Sequence, residues 1–168
     1  MKTVPCPDVL SRFSLEYFKA ASTFGALSDD TLVWLLNHGK VLELTKDEIL
    51  FKPGDRGDVF YVILQGTFAY YKNHLGKVAF IRNYKQGEQI GFMSMIALHN
   101  RVGSSVANDE CLVLEVNNSL FHRLHETAPV DFGLLMMNLA REMARTLRSV
   151  DNILVDKTHE EPALSHSN

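Results

Sequence analysis

The spacing of apolar positions along the chain changes period twice. Phe13, Tyr17, Phe18 and Ala21 recur at helical intervals. Ser28 followed by Asp29 and Asp30 makes a good N-cap with acids in the first turn. Leu32, Leu35 and Leu36 then supply a core face before Gly39 stops the helix. From Lys40 the period shortens. Val41, Leu42 and Leu44 begin a series of short strands, and Pro53 to Asp58 is a cluster of turn residues. Val59 to Leu64 reads as a buried strand ended by Gly66. Thr67 to Tyr71 pairs back, Asn73 to Gly76 turns, and Val78 to Ile81 continues. After an interruption at Gly91, Ser104 to Ala107 and Cys111 to Val116 complete the set. Short strands at this spacing predict a closed or sandwich-like β core flanked by helices.

Near the C-terminus the helical period returns. Asn118 and Ser119 cap a short helix containing Phe121 and Leu124, and Pro129 starts a longer one predicted to run to about Val155. Met136, Ala140, Met143, Leu147, Val150 and Leu154 alternate steps of four and three, an a/d seam, while Phe132, Leu135 and Leu139 form a second stripe able to face the β core. Two stripes on one helix fit packing on its own domain and on a second copy, a homodimer through 132–154. Burial of both stripes within one chain is the simpler alternative. The polar segment from His159 to Asn168 has little to bury and is expected to fray.

Composition narrows the function classes. The 168 residues suit one domain with modest extensions, and a net charge of −3 gives no basic field for non-specific nucleic-acid binding. Cys6 and Cys111 are too few and too far apart for a disulfide scaffold or an iron–sulfur sensor. With no signal-peptide pattern and no apolar run of membrane length, a cytoplasmic location and no membrane contact are expected. The seven histidines form no His-x-His cluster; His122 and His125 share a helix face without a third ligand. No Ser/His/Asp or Cys/His arrangement suggests an activated nucleophile, so the chain reads as a non-enzyme without cofactor or metal.

The chemistry concentrates between Gly87 and Ser105. Gly91 lets the backbone approach a ligand closely, and the helical turns after it point unpaired N–H groups back toward it. Arg101 returns ten residues later with a planar, permanently charged fork suited to phosphate. Ser104 and Ser105 add small side chains at the mouth. Together these make an anion site for one phosphate, with Met93 and Val102 beside it. A Gly and an Arg at this separation are weak evidence alone, since a surface loop with a solvated Arg has the same pattern.

Lys52 to Gly66, with its Pro-Gly-Asp turn and following strand, resembles the corresponding segment of cyclic-nucleotide-binding domains, and 91–107 falls where that family has its phosphate-binding cassette. The helix around Leu139 to Leu147 is similar to the dimerising helix of the catabolite-activator branch. The resemblance spans roughly residues 24–154. It implies a mainly β fold: a double-stranded β-helix or jelly-roll β-roll with N-terminal helices and a long C-terminal helix. It further implies that Gly91 approaches the ribose-phosphate, that Arg101 pairs with the cyclic phosphate, and that Ser104 lies near the same pocket. Gly54, Asp55 and Gly66 match structural turn positions. The division expected is a helical extension over 1–23, the binding domain over 24–155 and a tail over 156–168.

One departure is large. Where the family has a glutamate that accepts from the ribose 2′-hydroxyl, this chain has Phe92. Losing one charged hydrogen bond weakens binding about 10–150-fold, and the Phe92 ring could occupy part of the ribose pocket. At the base-reading end the chain offers Val150-Asp151. Asp151 is able to accept from a purine amino group or to sit solvated on the helix. With about a dozen residues after Val155, direct DNA reading is not expected. The expectation is a stand-alone regulatory module that binds cyclic AMP, cyclic GMP or a related phosphorylated ligand, and signals through its C-terminal helices to an effector protein. Its rivals are a non-binding scaffold for dimerisation or protein interaction, and a cupin-like metal enzyme.

Overall fold

The computed structural model describes residues 1–159; the tail expected over 156–168 is helical as far as His159, and residues 160–168 lie outside the described residues. The chain runs β1 (Lys2–Val4), α1 (Cys6–Arg12), α2 (Leu15–Lys19), α3 (Asp29–His38), β2 (Lys40–Leu44), β3 (Ile49–Phe51) and β4 (Val59–Gln65). It continues through β5 (Thr67–His74), β6 (Lys77–Lys85), β7 (Gln89–Ile90), α4 (Phe92–Ile96), β8 (Gly103–Ala107) and β9 (Cys111–Asn117). Two helices, α5 (Asn118–Thr127) and α6 (Pro129–His159), complete it. The strands form two antiparallel sheets, β1-β2-β9-β4-β7 and β3-β8-β5-β6. This is the mainly β, jelly-roll architecture with flanking helices expected from the sequence.

The first sheet is covered on both sides, which explains the unbroken apolar run in β4. Phe60, Val62 and Leu64 point to the helices, while Tyr61 and Ile63 point between the sheets. β9 divides the same way, with Leu112, Leu114 and Val116 toward the helices and Cys111 and Val113 between the sheets. Val9 of α1 and Phe18 of α2 join the helix-side cluster, so the N-terminal segment shares the core of the roll.

Local chemistry sets the boundaries. The single helix expected over Phe13 to Ala21 is two pieces. Phe13 is extended (φ −137°, ψ 137°), and the Ser14 hydroxyl caps a new helix by accepting from the Tyr17 N–H at 3.3 Å. Ser28 caps α3 as expected, accepting from the Thr31 N–H. The turn expected across Asn73 to Gly76 narrows to Leu75 and Gly76, both at positive φ (50° and 75°). That is the two-residue hairpin geometry that continues strand twist.

The two stripes of α6 behave differently. Leu135 and Leu139 are buried in the helix-side core, and Met136 and Met143 are half-buried, while Ala140 between them is exposed. Beyond them the seam opens, with Leu147 63% and Leu154 57% exposed. Polar anchors hold the base of α6. Asp131 accepts from the Ser28 and Thr31 hydroxyls, and Asn138 donates to the carbonyls of Thr23 and Gly25. Glu142 accepts from the Ser22 and Thr23 hydroxyls and from the Gln89 N–H. No helix among the described residues is long and apolar enough to cross a membrane.

Candidate ligand-binding cleft

β7 ends at Gly91, whose φ of 93° lies in the left-handed region that favours glycine. This kink turns the strand into the short helix α4. The chain then folds back through Leu98, also at positive φ, so that Arg101 returns beside Gly91. The approach is tight: a Cβ added to Gly91 would lie 2.4 Å from a terminal nitrogen of Arg101. The Arg101 backbone is fixed by the turn before β4, donating to the Asp55 carbonyl at 2.8 Å and accepting from the Gly54 N–H at 2.9 Å. Asp55 holds that turn by accepting from the Lys52 N–H. The Pro-Gly-Asp turn and the Gly91–Arg101 loop are thus one hydrogen-bonded unit.

Arg101 is only 3% exposed. Its terminal nitrogens donate to the Gly91 carbonyl at 2.8 Å and to the Val59 carbonyl, and its guanidinium lies 4.4 Å from the Phe51 ring centre. Its Nε has no hydrogen-bond partner, and no ion pair to a carboxylate forms among the described residues. Burial pushes the Arg101 pKa down, opposed by nearby Tyr61 and Asp58. An arginine stays charged even so, and a buried charge without a counterion costs several kcal/mol. Two carbonyl bonds and an aromatic face offset part of that; an anion would offset more. Tyr61 is pushed up to about 12, first by burial and then by Glu115, so this phenol stays neutral.

Arg101 faces a cleft of about 300 Å³ between the roll and α6. Gly91, Met93, Arg101 and Val102 line it, as the sequence suggested. Phe92 does not. Its ring is fully buried among Phe60 and Phe121, with centroids 5.4 and 6.1 Å away, and it leaves the cleft open. The expected obstruction of the pocket is therefore absent, and Phe92 packs α4 onto α5 and the sheet. Neither Ser104 nor Ser105 lines the cleft, so the small hydroxyls expected at its mouth are not there. Ser105 is fully buried within the roll, with its Oγ lacking a hydrogen-bond partner. Asp151 is exposed and does not line the cleft; its neighbour Val150 does.

Several lining residues escaped sequence reasoning. Phe51 and Tyr70 come from β3 and β5, Ile81 and Tyr84 from β6, and Met143 and Thr146 from α6. Thr146 had a signal. It lies three residues after Met143 and four before Val150, so all three share one face. Lys72 adds a second cation to the lining. The His122 and His125 rings lie 6.3 Å apart, and His122 sits 3.5 Å from Glu126. Among the described residues, no group of three or more His, Cys, Asp or Glu side chains comes together to hold a metal ion.

The cyclic nucleotide-binding domain model matches residues 41–128, from β2 through α5, and includes both Gly91 and Arg101. The chain belongs to the cyclic nucleotide-binding domain family. It is 27% identical over 123 residues to the cAMP-activated global transcriptional regulator of Salmonella typhimurium, covering 72% of this chain and 57% of that protein. The chain thus spans a little over half the length of the curated relatives it matches. Among solved structures, a cyclic nucleotide-binding domain from Methylobacillus flagellatus KT superposes with a TM-score of 0.77 at 25% identity, covering 92% of this chain and 88% of that one. The Thermus thermophilus catabolite activator protein gives 0.69 at 25% identity, over 82% and 63%. As a cyclic nucleotide-binding domain, the chain is similar to regulatory proteins.

Proposed function

We propose that this domain is a sensor that binds a cyclic nucleotide, cyclic AMP or cyclic GMP, or a related phosphorylated ligand, in the cleft between the roll and α6. The observation that carries this reading is Arg101, a buried guanidinium without a carboxylate partner, folded against Gly91 at the cleft wall. An anion there supplies the missing countercharge in a poorly solvated site. Gly91, Met93 and Val102 complete the phosphate end.

The output in this reading is the position of α6. Met143, Thr146 and Val150 line the cleft, and Glu142 is bonded to the Gln89 N–H two residues before Gly91. A ligand that prefers one placement of α6 shifts the population toward it and alters the surface offered to an effector. The exposed seam residues Leu147 and Leu154 support a homodimer through α6.

A second reading has its own support. The terminal nitrogens of Arg101 are already engaged by the chain's own carbonyls, as fits a scaffold that binds no nucleotide. Calorimetric titration with cyclic AMP and cyclic GMP separates the two, run beside Arg101→Lys with its fold checked by circular dichroism. The sensor reading expects saturable binding that weakens at least tenfold when the planar fork is lost. Absence of heat at millimolar ligand in the wild type favours the scaffold.

A further inference from the structure

Donors and acceptors around the cleft are unevenly matched. No aspartate or glutamate is among the described residues that line it, whereas Arg101 and Lys72 both do. The acceptors closest to the phosphate end are already used. The Gly91 carbonyl accepts from Arg101 at 2.8 Å, and the Gln89 side-chain oxygen accepts from the Phe92 N–H at 3.2 Å. Phe92, directly after Gly91, is directed into the core. What remains beside the cations is the His99 ring, hydroxyls and an apolar wall that includes Phe51, Ile81, Met143 and Val150, with no carboxylate among them.

We infer that this cleft recognises an anion carried on a largely apolar, flat body and does not read a sugar hydroxyl. A 3′,5′-cyclic nucleotide and its 2′-deoxy analogue therefore bind with equal affinity. A carboxylate acceptor would make the hydroxyl worth about 10–150-fold in affinity. With no carboxylate acceptor on the lining, the hydroxyl exchanges one water-like partner for another and little is gained. The inference rests on the nucleotide-binding reading, and it makes the site permissive where a cleft with a buried carboxylate is selective.

The test titrates the full chain, by calorimetry, with cyclic AMP and 2′-deoxy cyclic AMP, and with cyclic GMP and its 2′-deoxy analogue. Dissociation constants within about fivefold for the pair that binds support the inference. A ribose form tighter by more than that overturns it and leaves the nucleotide reading standing. If none of the four binds at millimolar concentration, the nucleotide reading fails and the inference with it.

Discussion

Replacing Phe92 separates a packing role from a ligand role. The ring is fully buried and meets Phe60 and Phe121 edge-on, so truncation to alanine leaves a ring-sized hole at the junction of α4, α5 and the first sheet. Phe→Ala in a core costs about 3–5 kcal/mol, against a total of roughly 5–15 kcal/mol for a domain. At this chain length each kcal/mol lowers Tm by about 2–4 °C, so the fall is roughly 6–20 °C. Urea unfolding followed by tryptophan fluorescence reads the cost directly, with the m-value unchanged if the native surface is intact. The milder Phe92→Leu variant keeps aliphatic bulk and serves for binding. Its affinity for a cyclic nucleotide stays within about threefold of wild type, because the side chain lies off the cleft. A loss below about 1 kcal/mol in Phe92→Ala would refute the packing account. A tenfold affinity change in a well-folded Phe92→Leu would refute the placement. Phe92→Glu, which would restore the carboxylate on sequence grounds, buries an unpaired acid here. It is expected to unfold the domain rather than improve binding.

Three other outcomes follow from the same geometry. Gly91→Ala forces a Cβ to 2.4 Å from the Arg101 guanidinium at a φ of 93°; a loss of at least about 2 kcal/mol in urea unfolding is expected, with a tenfold or greater fall in nucleotide affinity. Cys111 is 2% exposed, and its thiol is pushed up to about 12, first by burial and then by Asp109. Native protein at pH 8 should therefore release at most the Cys6 equivalent of a thiol reagent, against two equivalents in urea. Burial alone would raise the Asp131 carboxyl, but hydrogen bonds from Ser28 and Thr31 outweigh it and hold the pKa below the ordinary 3.8. Its contribution is present above that value and lost as pH falls through the lowered one. The stability gap between wild type and Asp131→Asn should thus be constant near neutrality and shrink under strong acid.

How far the sequence disclosed the molecule depended on whether one local pattern decided each feature. Ser28 and Gly39 bracket α3 because a cap and a stop act within a few residues. The run Val59 to Leu64 announced a strand buried on both faces. β1 was illegible. It has three residues, and its reason for being extended is the edge of β2, which is distant in sequence. β3, also of three residues, and β7, of two, are fixed by their partners β8 and β4. Within the cleft, Gly91 and Arg101 were legible because a kink and a charge are needed there whatever the surroundings. Phe92 was not, because the direction of the first side chain of a five-residue helix depends on what α5 presents to it. Ser104 and Ser105 differ by one step of strand alternation. Ala107, on the same face as Ser105 and buried with it, was the available clue.

The central claim is that a phosphate takes up the unsatisfied charge of Arg101 inside the cleft. The most direct measurement is a crystal structure determined at saturating cyclic nucleotide. The account predicts the cyclic phosphate within hydrogen-bond distance of the Arg101 guanidinium and beside Gly91, with the base against Met143 and Val150 of α6. A phosphate bound elsewhere, or a cleft that stays without nucleotide at saturation while Arg101 keeps only its carbonyl partners, would contradict it.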